Sequence, residues 1–186
     1  MKLSSISEKK DFMKKVNIII DTREQKNAHI LNELDRMGIM HESKKLDYGD
    51  YSFQADGKDF SSVCVIERKA NVNEVYGNVS SDREQIEKEL DTACKNANQL
   101  ILLVENIKDW ESMKAFMLSD KDMDGNDRKV RNIGETCYST LQAWRCGNRY
   151  DFTVEFVPDI SKTAIKILEA FYWYYHNYKK LTAPRK

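Results

Sequence analysis

Short, nearly unbroken apolar runs constrain this chain most. Val16–Ile20 and Leu100–Val104 are strand-length and rich in branched aliphatic residues, and they read as buried strands. A third run, Val63–Ile66, leads into Glu67-Arg68-Lys69, and a last strand is expected over Phe152–Val157, stopped by Pro158. Between them, apolar residues recur at helical spacing. Ile30, Leu31, Leu34 and Met37 do so before Gly38; Val72, Val75, Tyr76 and Val79 follow; then Ile86, Leu90, Ala93 and Ala97 within 82–97. Trp110–Leu118 is weakly helical, Glu135–Trp144 more clearly so with Tyr138, Leu141 and Trp144 inward, and Ser161 is placed to cap a final helix running to about Tyr178. Strands alternating with helices predict an α/β class with a mixed central β-sheet flanked by helices.

The intervening stretches carry further expectations. Met1–Lys15 reads as a polar, partly mobile lead-in without the apolar segment of a signal peptide, and residues 16–186 as a single domain. Ile39–Asp47 and Tyr51–Gln54 are expected to pair with each other around Tyr48-Gly49, and Ala55-Asp56-Gly57-Lys58 is a hairpin signal. Ser119–Asn132 reads as a long polar loop. The final helix carries Phe171, Tyr172, Trp173, Tyr174, Tyr175 and Tyr178 nearly all round, which predicts a homodimer interface or, alternatively, a deeply buried helix.

Three acidic clusters, each expected at a strand end, suggest one site: Asp21-Thr22-Arg23-Glu24, Gly49-Asp50 and Glu67-Arg68-Lys69. On a strand, Glu67 and Lys69 share a face and Arg68 takes the other. A carboxylate and an ammonium at the end of a buried strand are costly unless something charged uses them. Magnesium takes oxygen ligands, usually one or two carboxylates with waters and phosphate. Asp50 and Glu67 supply two carboxylates, the main-chain carbonyl of Arg68 a third oxygen, and Asp21 and Glu24 further acid for the same ion or a second one. Lys69 would orient the attacking water or hold the attacked phosphate, so the chemistry expected is phosphodiester hydrolysis. Arg23 and Arg68 would balance the acids or touch phosphates. With Lys plus Arg and Asp plus Glu both at 30, the chain is not a uniformly basic nucleic-acid binder, but a metal-holding site needs acids of its own.

In this order, Ile20-Asp21-Thr22-Arg23-Glu24, Tyr48-Gly49-Asp50-Tyr51 and Ile66-Glu67-Arg68-Lys69 resemble the motif series of the XPF-type structure-specific endonucleases. Their signature is Gly-Asp, a spacer, then Glu-Arg-Lys-x-x-x-Asp, a variant of the restriction-endonuclease-like, PD-(D/E)xK, site. The resemblance implies a restriction-endonuclease-like fold and Mg²⁺- or Mn²⁺-dependent cleavage of branched, flapped or partly single-stranded DNA. It also implies supporting roles for Arg83 and Gln85 on the helix after the signature. The family's last Asp falls at Asn73, with Glu74 one residue displaced, and no helix-hairpin-helix module follows before Lys186. A nuclease domain alone is expected, as in compact bacterial or bacteriophage versions, acting in the cytoplasm of the bacterial or infected cell.

Other signals carry less. Asp120–Asn126 imitates the first half of an EF-hand calcium loop, but its twelfth position is Arg131. Arg128, Lys129 and Arg131 form a basic cluster suited to DNA backbone. The four cysteines lack zinc-ligand spacing, and no stretch is apolar enough to span a membrane. The rival reading is an inactive nuclease fold that binds DNA or a partner protein.

Overall fold

The computed structural model describes residues 3–121 and 127–182. In chain order the first elements are α1 (Leu3–Lys15), β1 (Val16–Ile20), α2 (Ala28–Arg36), β2 (Met40–Ser43), β3 (Tyr51–Ala55), β4 (Lys58–Asp59) and β5 (Cys64–Lys69). Next come α3 (Val72–Val79), α4 (Arg83–Asn96), β6 (Gln99–Glu105), α5 (Trp110–Lys114), β7 (Met117–Lys121) and β8 (Asp127–Asn132). The chain closes with α6 (Ile133–Cys146), β9 (Thr153–Val157), a 3-10 turn (Ile160–Lys162) and α7 (Thr163–Thr182). The class is α/β, as expected. Contacts group the chain into two compact units: Met1–Glu67, Asn96–Asn98 and Ser161–Lys186 form the first, Arg68–Lys95 and Gln99–Ile160 the second.

In the first unit β1 takes a central place because it is apolar enough to be covered on both faces; Val16, Ile18, Ile19 and Ile20 are all buried. It pairs in parallel with β2, from Asn17↔Met40 to Ile20↔Ser43, and antiparallel with β3, from Val16↔Ala55 to Ile20↔Tyr51. The expected pairing of the Ile39–Asp47 and Tyr51–Gln54 stretches is therefore corrected: β1 lies between them. A strand reached through α2 comes back parallel to β1 by a crossover, leaving β1's other edge for β3. The Asp56-Gly57 hairpin forms as expected, with φ of 50° and 73°, and joins β3 to β4. β3 also pairs antiparallel with β5 at Tyr51↔Ile66.

Aromatic rings fill the space behind this sheet. Phe53 stacks on Phe60 at 4.5 Å and on Phe171 of α7 at 4.8 Å, and Phe12 meets Tyr172 edge-on at 5.7 Å. Phe171, Tyr172 and Tyr175 are buried within the unit, while Trp173 stays 55% exposed. Half of the six rings of the expected dimer patch are thus core of their own unit. The lead-in is corrected as well: residues 3–15 are helical, anchored by buried Phe12 and by a 2.7 Å pair from Lys9 to Glu169.

The second unit pairs β6 with β9 in parallel, from Ile101↔Thr153 to Glu105↔Val157, and packs α6 on α3 and α5. The stretch expected as a loop over Ser119–Asn132 instead carries most of an antiparallel hairpin, β7 with β8, irregular at Asp120/Lys121. Residues 122–126 of the calcium-loop imitation lie outside the described residues. No helix among the described residues is long and apolar enough to cross a membrane.

Candidate active site

Asp21 follows the last residue of β1 and is 1% exposed. Its Oδ1 accepts from the Arg23 amide at 2.8 Å and from Arg23 Nε at 2.6 Å, and its Oδ2 from the Leu46 amide at 2.6 Å. Burial alone would raise its pKa, but the Arg23 guanidinium and the two amides outweigh that and hold the carboxyl below its ordinary value. Arg23 also donates from a terminal nitrogen to the Leu46 carbonyl at 3.2 Å, so the pair fastens the 46–47 segment to the end of β1. Asp21 thus fastens this corner of the chain through its own hydrogen bonds. Both its oxygens are engaged by donors of the chain itself. Glu24 is half-buried, and its amide donates to the Asp21 carbonyl at 3.0 Å.

Asp50 precedes the first residue of β3. Its amide donates to the Ile66 carbonyl of β5 at 2.8 Å, and its carbonyl accepts from the Asp21 amide at 2.8 Å. The backbones of the three clusters are thereby hydrogen-bonded side by side. Gly49 makes this possible. Its φ is +75°, and a Cβ there would lie 3.1 Å from Val65 Cβ and 3.2 Å from the Ile66 carbonyl oxygen. Tyr48 donates its hydroxyl to the Ser62 carbonyl, and Tyr48 and Tyr51 are both buried, so they serve packing rather than line an open site.

β5 carries Glu67, half-buried, and Lys69, 7% exposed, on one face. Arg68, on the other, is sealed in a 2.6 Å pair with Glu105 whose side chains are 4% and 2% exposed. Of the two roles expected for Arg68, balancing acid or touching phosphate, its guanidinium pairs with an acid, the buried carboxylate at the end of β6. Just beyond, Asn71 caps α3 by accepting from the Glu74 amide at 3.1 Å, and Glu74 accepts from the Ala70 amide at 2.8 Å. Glu74 is thus committed to the cap, and Asn73 is exposed.

A family model described as the ERCC4 domain matches residues 20–168. The chain belongs to the ERCC4 domain family. The match spans all three motif clusters and bears out the resemblance to the XPF-type nucleases. Two solved structures are similar in fold, both XPF from Aeropyrum pernix. One has a TM-score of 0.62 at 15% identity over 91% of this chain and 66% of that one. The other, in complex with DNA, has a TM-score of 0.59 at 16% identity over 87% of this chain and 66% of that one. The chain thus spans just under two thirds of the XPF chains it resembles. No curated protein matches it.

In this ERCC4 domain Asp50 and Glu67, two half-buried carboxylates, are the residues that could hold an ion. Among the described residues no three or more His, Cys, Asp or Glu side chains form a metal-holding group. Hard cations that keep waters and substrate phosphates need only one or two carboxylates, so this pair fits Mg²⁺. Of the residues expected to support DNA, Arg83 pairs with Glu87 at 2.8 Å and lies over Trp144 at 5.5 Å, and Gln85 donates to Glu89 at 2.8 Å. Arg131 is half-buried opposite Leu118. The side chains of Arg128 and Lys129 lie outside the described ones. Glu105 and its neighbour Asn106 escaped the sequence reading; the acid that ends Leu100–Val104 was their signal.

Proposed function

We propose that this ERCC4 domain is a metal-dependent DNA endonuclease that hydrolyses phosphodiester bonds in branched, flapped or partly single-stranded DNA. The observation that supports the reading is the hydrogen-bonded junction of Asp21, Asp50 and Ile66, in which the Asp50 amide bonds the residue just before Glu67. Asp50, Glu67 and the Arg68 carbonyl would hold Mg²⁺, for which Mn²⁺ can substitute. When bound, the ion supplies Lewis-acid stabilisation of the charge that builds on the phosphate. Lys69 orients the attacking water or holds the attacked phosphate, Asp21 and Arg23 keep the acidic corner in place, and Glu24 adds negative charge. Arg128, Lys129 and Arg131 contact DNA backbone. The DNA complex of Aeropyrum pernix XPF supports DNA as the partner. A homodimer through α7 would rest on exposed Trp173 and Leu181, since the other rings are used inside. Sedimentation of Trp173→Ala against the unaltered chain tests it.

The direct assay is cleavage of fork, flap and duplex DNA with Mg²⁺ or Mn²⁺. Asp50→Ala and Lys69→Ala abolish cutting while circular dichroism stays unchanged; full activity in either refutes the assignment. A second reading, an inactive nuclease fold that binds DNA or protein, is favoured by exposed Asn73 at the family's last Asp position. DNA binding without cleavage on every substrate would support it.

A further inference from the structure

We propose that Glu105 and Asn106 form a clamp that positions Lys69, an inference resting on the nuclease reading above. Lys69 lies between two residues that are each tied down. Arg68 is held by Glu105 at 2.6 Å, and the Ala70 carbonyl accepts from Asn106 Nδ2 at 2.9 Å. The Ala70 amide is taken by Glu74 at 2.8 Å. The clamp is itself anchored, because the Asn106 amide donates to the Val157 carbonyl at the end of β9 at 2.8 Å. Two consecutive residues at the end of one strand thus grip both neighbours of the lysine that ends another.

The choice of residue at the corner supports a clamp over a plain turn. Asn106 has φ of 59°, the left-handed region where glycine is cheapest and asparagine is tolerated. Glycine would make the turn but could not reach Ala70. Asparagine makes the turn and donates. Likewise the Arg68–Glu105 pair is nearly sealed from water, where an ion pair is retained for placement more readily than for net stability. Lys69, only 7% exposed, carries an amino group that must be aimed, since a reacting group misplaced by about 1 Å loses most of its effect. Glu105 and Asn106 act through Lys69 and are positioning residues.

The test uses the full chain with Asn106→Gly, which keeps the turn and deletes the donor, and Asn106→Asp, which keeps the shape and presents an acceptor to Ala70. The first readout needs no cleavage: acylation of Lys69 by a small amine-reactive reagent, followed by peptide mass spectrometry. Loosening the strand end speeds it by about fivefold or more in both variants. The second readout is cleavage of fork DNA with Mg²⁺, in which kcat falls by about tenfold or more while KM stays within about twofold. Glu105→Asp, which keeps the counter-charge of Arg68, retains more activity than Glu105→Gln. Unchanged Lys69 reactivity, a loss confined to KM, or kcat within about twofold of the unaltered chain overturns the proposal. If the unaltered chain cuts nothing yet Lys69 becomes more reactive in both variants, the nuclease reading falls and the clamp stands.

Discussion

Asp21→Ala separates a positioning carboxylate from a ligand by its effect on the folded state without any ion. The substitution removes the acceptor for three N–H groups. The Arg23 side chain is 62% exposed, so its donors turn to water at little cost. Leu46 is 3% exposed, and its amide has no such exit. Leaving a buried donor unmade costs about 1–3 kcal/mol, and losing a charge-assisted bond puts the total toward the upper half, about 2–3 kcal/mol. At a urea dependence of about 2 kcal/mol per molar, the midpoint falls by roughly 1 M. The pH dependence follows from the depressed pKa. A carboxyl held below its ordinary value in the folded chain stabilises above its unfolded pKa, about 3.9, and loses that share as pH falls through the folded value. The gap between the two chains is therefore flat from about pH 7 to 5 and closes in acid below about pH 4. Urea titrations across that range check it. A gap under about 0.5 kcal/mol at neutral pH, or one that widens in acid, refutes the reasoning.

Two further outcomes are expected. Gly49→Ala places a Cβ 3.1 Å from Val65 Cβ at a φ of +75°; the left-handed backbone alone costs about 1–2 kcal/mol, so the urea midpoint drops and DNA cutting falls with it, whereas an unmoved midpoint contradicts the close approach. Burial raises the pKa of Asp59, but Ser61, Lys44 and Gln54 donate to it and pull it down to about 2. Its share of stability is present above its unfolded value and is lost as pH falls toward about 2. An NMR titration of Asp59 with a midpoint near the ordinary carboxylate value, about 3.9, would show those contacts to be absent.

The elements were legible wherever one residue type repeats at one spacing. The apolar runs became β1, β5, β6 and β9, and the 82–97 repeat became α4 over Arg83–Asn96. Neighbours were harder, because strand order depends on partners far apart in sequence. Nothing near Met40 says that it pairs with Asn17 rather than with the Tyr51 stretch. The polar strands β7 and β8 show no apolar alternation, and α1 hides its one buried ring, Phe12, among lysines. The same limit applied at the site. Asp50, Glu67 and Lys69 were visible as residue types in order, and backbone hydrogen bonds join Asp21, Asp50 and Ile66. That Asp21 is spent on Leu46, and Arg68 on Glu105, could not be read, since those partners are 25 and 37 residues away.

The unit that holds Asp21, Asp50 and Glu67 is closed by a helix that begins only at Thr163, whose Phe171 supports Phe53 from behind. A ribosome has therefore laid down every acidic residue of this corner long before it makes the ring that stiffens the sheet beneath them. During synthesis the growing chain carries these acids before it has the packing that stiffens the sheet behind them. Synthesis that stops ahead of α7 leaves the Phe53 ring without the Phe171 that stacks on it.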